Sequence, residues 1–279
     1  MSIQALIDHT LHLGDDALIL GHRNSEWTGH GPILEQDIAL SNIALDLIGQ
    51  ARNFYQFAAE RINAEAGNRT GAQGRGAPPV RWEASHLSGG VAGASEDRLA
   101  YLRDVWDFRN CLLVEQSNGD WAKTMLKQFF FSAYQYYFYQ ELRHCREKTL
   151  AAIAEKSLKE VTYHLRWSSE WVIRLGDGTE ESHGRMQKAM GDLWKYTGEL
   201  FLPAEYEQVL APAGLTVDLA VIRPFWEERV REVLTMAQLT APEGEWMQTG
   251  GKQGKHTEQL GYLLAEMQFL QRAYPGCEW

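Results

Sequence analysis

The sequence predicts an all-α fold, a bundle of long helices formed by the 279 residues as one domain. Apolar residues recur at spacings of three and four along most of the chain, which is the period of an amphipathic helix. No stretch shows the sustained alternation that is typical of half-buried strands. A single domain is predicted because bundles of long helices reach this length as one unit.

The predicted helices follow from this periodicity and from the residues that end it. They cover residues 2–22, 32–64, 96–117, 119–146, 149–176, 180–200, 218–239 and 256–273. Pro32 suits the first turn of the second helix, where its missing N–H costs nothing. Gly119 breaks the chain before the fourth helix, and Pro275 ends the last one. Residues 66–95 are rich in glycine and contain few aliphatic side chains, so we predict a flexible insertion there.

The second predicted helix is apolar nearly all round, which is typical of a helix inside a bundle. Its polar exceptions are spaced four, four and three residues apart and therefore form one stripe. They are Asn42, Asp46, Gln50 and Asn53. The fifth predicted helix carries a comparable row of polar side chains at steps of four residues. We expect this row to contact the polar stripe of the second helix, because polar side chains on a buried helix need hydrogen-bond partners. The predicted buried polar network comprises Asn42, Asp46, Gln50, Glu160 and His164.

A helical bundle can hold a dinuclear metal site when two helices each supply a Glu and two more each supply Glu-x-x-His. Two windows on the second and fifth helices are placed to present that motif, and both lack the acid. Leu47 precedes Gln50 in one window, and Val161 precedes His164 in the other. Because iron and manganese need several anionic oxygen ligands, we predict no metal or other cofactor in this chain and no catalytic residue.

Composition excludes several classes of partner. The net charge of −10 repels nucleic acid and anionic membrane surfaces. The aromatic run from Phe129 to Tyr139 is too short to span a bilayer, and acidic residues near the N-terminus interrupt any signal peptide. The three cysteines are widely spaced and form no C-x-x-C pair, so we expect a cytoplasmic protein.

Aromatic and basic side chains suggest a surface for a protein partner. Rings lie around the whole circumference of the fourth predicted helix, and one core-facing stripe cannot bury them all. The candidate partner contacts are Trp27, His30, Tyr136, Tyr137, Lys252 and Lys255. Core packing is the alternative for Trp27 and His30, and a solvated turn is the alternative for the Gly-rich loop at 250–255.

Several long strings, spread over nearly the whole chain, carry a family resemblance. They are Glu26–His30, Glu35 running on to Gln50–Phe54, Leu113–Gln116 with Asn118–Gly119, Tyr163–Trp167, Thr249–Lys252, His256–Glu258, Leu264–Gln268 and Pro275–Gly276. These strings resemble the structural (C) subunits of ring-1,2-phenylacetyl-CoA epoxidase, a phenylacetate-CoA oxygenase, in the phenylacetic acid catabolic protein family.

The resemblance implies a ferritin-like fold and a non-catalytic, structural role in a hetero-oligomer. The complex would be a multicomponent monooxygenase that epoxidises the ring of phenylacetyl-CoA in aerobic phenylacetate catabolism, with a reductase as electron donor. The homologous catalytic (A) subunit would hold the di-iron centre. In that sister chain, the positions that look equivalent to Leu47 and Val161 carry metal-binding glutamates, and the position like Gln50 carries a histidine.

Two other functions stay open at the level of sequence. The chain could be a divergent metal-carboxylate oxygenase with its own site at Asp46, Glu160 and His164. It could also be an independent bundle that binds a small molecule, which would require a deep apolar pocket. Metal content distinguishes the first of these from a structural subunit, and oligomeric state distinguishes the second.

Overall fold

The computed structural model describes residues 3–70, 93–244, 246–275 and 277. The helices are α1 (Ile3–Ser25), α2 (Leu34–Thr70), α3 (Glu96–Tyr101), α4 (Leu112–Glu115), α5 (Trp121–Leu142), α6 (Lys148–Gly176), α7 (Glu180–Leu193), α8 (Glu205–Leu210), α9 (Leu219–Met236), α10 (Glu258–Met267) and α11 (Phe269–Ala273). The described residues contain no strand, so the predicted all-α class is confirmed. None of the described helices is both long enough and apolar enough to cross a membrane.

Two pairs of long helices form the framework, α1 with α2 and α5 with α6. α2 also packs on α6, which joins the two pairs, and α7 and α9 cover α5. The aromatic run on α5 is mostly buried in the centre of this framework. Asp120 caps the start of α5, because its side chain accepts a hydrogen bond from the Lys123 N–H.

The prediction that the second helix is enclosed by the rest of the chain was wrong. Leu34, Ile38 and Leu45 on α2 are 71%, 51% and 65% exposed. The enclosed helix is α1, which is buried on nearly all sides by α2, α4 and α8. A helix that is apolar all round tends to be buried. The pattern does not show whether the helix is buried by its own chain or by a partner chain.

The single helix predicted at 96–117 was also wrong, because the structure divides this segment into α3, a 3₁₀ turn at Val105–Asp107 and the short α4. Buried carboxylates on α1 cause the break. Asp15 accepts the Arg109 N–H at 2.7 Å, and Asp16 accepts the Cys111 N–H at 2.7 Å. Backbone donors that bind these carboxylates cannot also bind the carbonyls of a preceding helical turn.

Smaller differences occur near the C-terminus. The sixth predicted helix ends earlier, at Leu193, and continues as 3₁₀ turns, and α8 was not predicted. The last predicted helix is divided at Gln268, whose side chain donates to the Ala100 and Arg103 carbonyls. Most of the predicted insertion at 66–95 lies outside the described residues.

Candidate functional site

The positions that would carry a dinuclear metal site lie where α2 faces α6. The Nε2–H of His164 donates to Asp46 Oδ2 at 3.0 Å. One helical turn further along, Gln50 Nε2 donates to Glu160 Oε2 at 2.9 Å. The structure therefore brings four of the five predicted network residues together as two hydrogen-bonded pairs.

Burial differs between the members of each pair. His164 and Gln50 are 0% and 1% exposed, while the Asp46 side chain is 38% exposed and Glu160 is half-buried. Asn42 is exposed, so its inclusion in a buried network was wrong. Each step of four residues advances about 40° around an α-helix, so Asn42 lies about 80° from Gln50 and is directed towards solvent.

These residues do not fit a di-iron centre. Leu47 and Val161 are fully buried but offer no ligand atom. Both amide atoms of Gln50 are occupied, since its Oε1 accepts from the Tyr139 hydroxyl at 3.4 Å while its Nε2 binds Glu160. Burial raises the pKa of Tyr139, so the phenol stays protonated and remains a donor. The two carboxylates, Asp46 and Glu160, each bind a neighbouring side chain, and the buried Leu47 and Val161 add no anionic ligand.

Glu-x-x-His strings do occur in the chain, outside these windows. Glu141 and His144 lie at and just beyond the end of α5, and both are exposed. Glu180 is exposed in the first turn of α7, and His183 is bound to the Gly176 carbonyl at 2.8 Å. Neither of these strings supplies ligands to the α2–α6 contact. A further string, at 83–86, lies outside the described residues.

Replacing His164 with alanine is expected to lower the free energy of unfolding by roughly 1–3 kcal/mol, since it removes a buried ring and its hydrogen bond. Asp46→Ala should cost less, about 1 kcal/mol or below, because that carboxylate is partly solvated. Urea unfolding measures both. Asn42→Ala, on the exposed side of the same stripe, is the matched control and should stay within about 0.5 kcal/mol of the parent. An unchanged stability in His164→Ala would contradict a buried network.

Trp27 belongs to a cluster of rings inside the chain, which favours the core alternative for this residue. Its Nε1–H donates to Thr124 Oγ1 at 2.9 Å, and its ring meets Trp121 edge to face at 5.2 Å. Trp121 makes the same type of contact with Trp167 and Trp171. His30 is exposed and could contact a partner.

Lys252 is not available to a partner, and its assignment as a partner contact was wrong. It is 2% exposed, and its ammonium lies 3.2 Å from Glu207 Oε2. The Gly-rich loop is folded into the chain because the Glu199 carboxylate accepts the Gly250 N–H at 2.7 Å. A Cβ on Gly251 would lie 2.3 Å from the Asn110 carbonyl oxygen, so only glycine fits there.

The other three candidate contacts remain accessible. Tyr136 and Tyr137 are half-buried, and the Tyr137 ring stacks on Phe225 at 5.9 Å. Phe225 is 52% exposed, so this pair continues onto the surface. Lys255 is exposed.

Sequence reasoning missed an apolar surface on α2 because it assigned those side chains to the core. Leu34, Ile38 and Leu45 lie within about 40° of one another around the helix axis, and Gly49 continues the row with nothing within 4 Å of a Cβ placed on it. We call this row the α2 outer face. Large apolar side chains that are exposed along one side of a helix are typical of a protein interface.

Sequence reasoning also missed a buried cluster between α1 and α8. His9, His12 and Glu207 are all fully buried or nearly so, and among the described parts of the chain they form the one group of three side chains placed to hold a metal ion. His9 and His12 are three residues apart on one helix face, which is the only signal in the sequence. Glu207 is distant along the chain, and its helix was not predicted.

Two comparisons with known proteins match this chain over all or nearly all of its length. All residues from 1 to 279 match the family described as phenylacetic acid catabolic protein. The chain is 43% identical over 275 residues to the C subunit of the 1,2-phenylacetyl-CoA epoxidase of Escherichia coli strain K12. That alignment covers 98% of this chain and 99% of the relative.

Proposed function

Because the chain belongs to the phenylacetic acid catabolic protein family, we propose that it is the structural subunit of a phenylacetyl-CoA epoxidase. The observation that carries this proposal is the similarity to the C subunit of such an epoxidase over 98% of the chain. The family match covers every helix described above. The substrate class is therefore an aryl-acetyl thioester whose ring is oxygenated by the assembled complex, in a soluble cytoplasmic setting.

Within that complex the chain supports oxygenation without supplying the metal that performs it. Leu47 and Val161 offer no carboxylate where a di-iron centre would need one, and Gln50 and His164 are already engaged with Glu160 and Asp46. The di-iron centre belongs to the homologous catalytic (A) subunit, and a reductase supplies the electrons. The divergent-oxygenase alternative has no support from the geometry, since its three proposed ligands are divided between two separate pairs.

The α2 outer face is the surface that the catalytic partner covers. Burying a leucine or isoleucine side chain contributes about 1.5–3 kcal/mol, and Leu34, Ile38 and Leu45 form one row of such side chains. Part of that gain offsets the entropy lost on association. Exposed apolar rows of this length lower solubility unless a partner covers them, which favours a permanent hetero-oligomer.

A small-molecule-binding bundle is the second candidate, and one observation favours it. A cavity of about 430 Å³ is lined by Trp194, Phe201, Trp226 and Met247, among other residues. Its size lies in the range of ligand pockets. We give more weight to the similarity to an oxygenase subunit than to this cavity. The similarity extends over nearly the whole chain, whereas the cavity is one local feature of its surface.

Mixing the chain with its catalytic subunit tests the proposal. We expect one stable hetero-oligomer on size-exclusion chromatography, and epoxidation only when both subunits, the remaining components, the reductase and NADPH are present. The chain alone should give no product. Leu45→Glu should weaken association at least tenfold, since it places a charge at an apolar contact, a penalty of about 1.4 kcal/mol or more.

Val221→Glu is the matched control, because Val221 is an apolar residue on α9 that is 47% exposed. It should leave association unchanged. A catalytic subunit that is fully active alone would contradict the supporting role. Equal association of the Leu45→Glu and wild-type chains would contradict the assignment of the α2 outer face while leaving the subunit role intact.

A further inference from the structure

The cluster of His9, His12 and Glu207 joins the first helix to a short helix near the other end of the chain. The three side chains are 0%, 0% and 1% exposed. One potential ligand atom from each lies within 4.8 Å of the other two. His12 Nδ1 and Glu207 Oε1 are 3.9 Å apart.

Each of these side chains has a polar atom without a hydrogen-bond partner. The atoms are His9 Nδ1, Glu207 Oε1 and both ring nitrogens of His12. A buried polar atom without a partner costs free energy, and such atoms are few in native proteins. Such atoms on three side chains that lie within reach of one another indicate that a further group is bound between them.

The remaining atoms of the same side chains are held in place by neighbours. His9 Nε2 is 2.8 Å from Thr216 Oγ1, so Nδ1 is the nitrogen left free. His12 Nε2 lies 3.1 Å from Asp16 Oδ2, which is within ion-pair distance, although the two atoms are not aligned for a hydrogen bond. Histidines that bind metal ions commonly contact a carboxylate or hydroxyl through the other nitrogen, which orients the ring and makes it a better ligand.

Glu207 is oriented in the same way. Its Oε2 accepts the Ala204 N–H at 2.8 Å and lies 3.2 Å from Lys252 Nζ. These contacts occupy one oxygen and leave Oε1 directed at the histidines. The carboxylate can therefore keep its contact with Lys252 and still provide a ligand atom.

The local charge favours a cation. Asp16 and Glu207 contribute two carboxylates to this buried cluster, and Lys252 contributes one ammonium group. A neutral imidazole has the free lone pair that a metal ion requires.

We propose that His9, His12 and Glu207 bind a single divalent transition-metal ion of the zinc class, which ties α1 to α8. Two imidazoles, one carboxylate and a water molecule are a common ligand set for zinc. Tetrahedral ligands at about 2.0–2.1 Å lie roughly 3.4 Å from one another. The 3.9 Å between His12 Nδ1 and Glu207 Oε1 must therefore shorten by about half an ångström, and the other two separations, which lie within 4.8 Å, must close to the same distance. The site shares no residue with the α2–α6 contact and departs from the expectation that this chain binds no metal.

Metal analysis of the full chain, purified alone and in complex with its partner subunit, tests this site. After stripping with a chelator and incubation with Zn²⁺, the wild-type chain should retain one zinc ion. His12→Gln and Glu207→Gln should lower the affinity for Zn²⁺ at least tenfold. His164→Gln is the matched control, since His164 is also a buried histidine beside a carboxylate, and it should retain the ion.

A second measurement does not depend on how well the variants fold. Adding Zn²⁺ to the stripped wild-type chain should raise its Tm, because an ion that binds only the folded state stabilises it. Co²⁺ at the same site should give the visible absorption of a four-coordinate ion. A Tm that is the same with and without Zn²⁺ would overturn the proposal, and so would a metal ion that is lost in His164→Gln and kept in His12→Gln. Neither result depends on whether the chain assembles into an epoxidase.

Discussion

Asp15→Ala is expected to lower the free energy of unfolding by about 3–5 kcal/mol, because it leaves a buried charge without its partner. Asp15 is fully buried and pairs with the guanidinium of Arg103, which is 1% exposed. The same carboxylate accepts the Tyr55 hydroxyl at 2.6 Å and the Arg109 N–H at 2.7 Å. Alanine leaves all three donors without this acceptor in a part of the protein that water does not reach. Urea unfolding monitored by circular dichroism measures the loss.

Two further variants separate the charge effect from a general loss of packing. Asp8→Ala removes a half-buried carboxylate from the same helix, where Gln4 is one of its partners, and should cost well under half as much. The double variant Asp15→Ala with Arg103→Met should be more stable than Asp15→Ala alone, since the isolated positive charge is gone. If the free energy of unfolding of the double variant falls by the sum of the losses measured for Asp15→Ala and Arg103→Met separately, the ion-pair explanation is contradicted.

Glu115→Ala is expected to lower the free energy of unfolding by about 3 kcal/mol or more and to loosen the C-terminal helices. The buried Glu115 carboxylate accepts from Asn110 Nδ2 at 2.9 Å, from His256 Nδ1 at 2.8 Å and from both the N–H and the hydroxyl of Thr257, at 2.7 and 2.8 Å. Each donor left unsatisfied costs roughly 1–3 kcal/mol. Thermal melts give the total effect.

Hydrogen exchange locates that effect. Amides of α10 should lose protection in Glu115→Ala, because Thr257 directly precedes this helix and is held by the lost carboxylate. Glu258→Ala is the matched control, since Glu258 is exposed in the first turn of the same helix, where its charge contributes about 0.3–1 kcal/mol. Loss of protection confined to α4, with α10 unchanged, would show that Glu115 does not hold the C-terminal region.

The contacts of Glu115 also explain what the strings of the family resemblance do in this chain. Glu115 lies in one string and binds His256 and Thr257 of another. Asn118, from the same region as Glu115, donates to the carboxylate of Glu26 at 2.9 Å. The strings therefore contact one another and form the framework of the fold.

The sequence alone determined the helical class, the approximate extent of the long helices and the absence of acids at Leu47 and Val161. These features are local, since helical periodicity and motif spacing are set within a few turns of one helix. The two hydrogen-bonded pairs between α2 and α6 could be anticipated for the same reason, because spacings of four place their members on one face of each helix.

Only the tertiary structure decided which side chains are enclosed and which partners they meet. The division of the segment 96–117 depends on Asp15 and Asp16, which lie on a helix about ninety residues earlier in the chain. The same holds for Lys252, which is buried against Glu207, and for the histidines of α1 that meet Glu207. The α2 outer face is apolar like a core face, and only the positions of the other helices show that the described part of the chain leaves it exposed. Contacts between residues far apart in sequence depend on how the helices pack, and no local pattern encodes that packing.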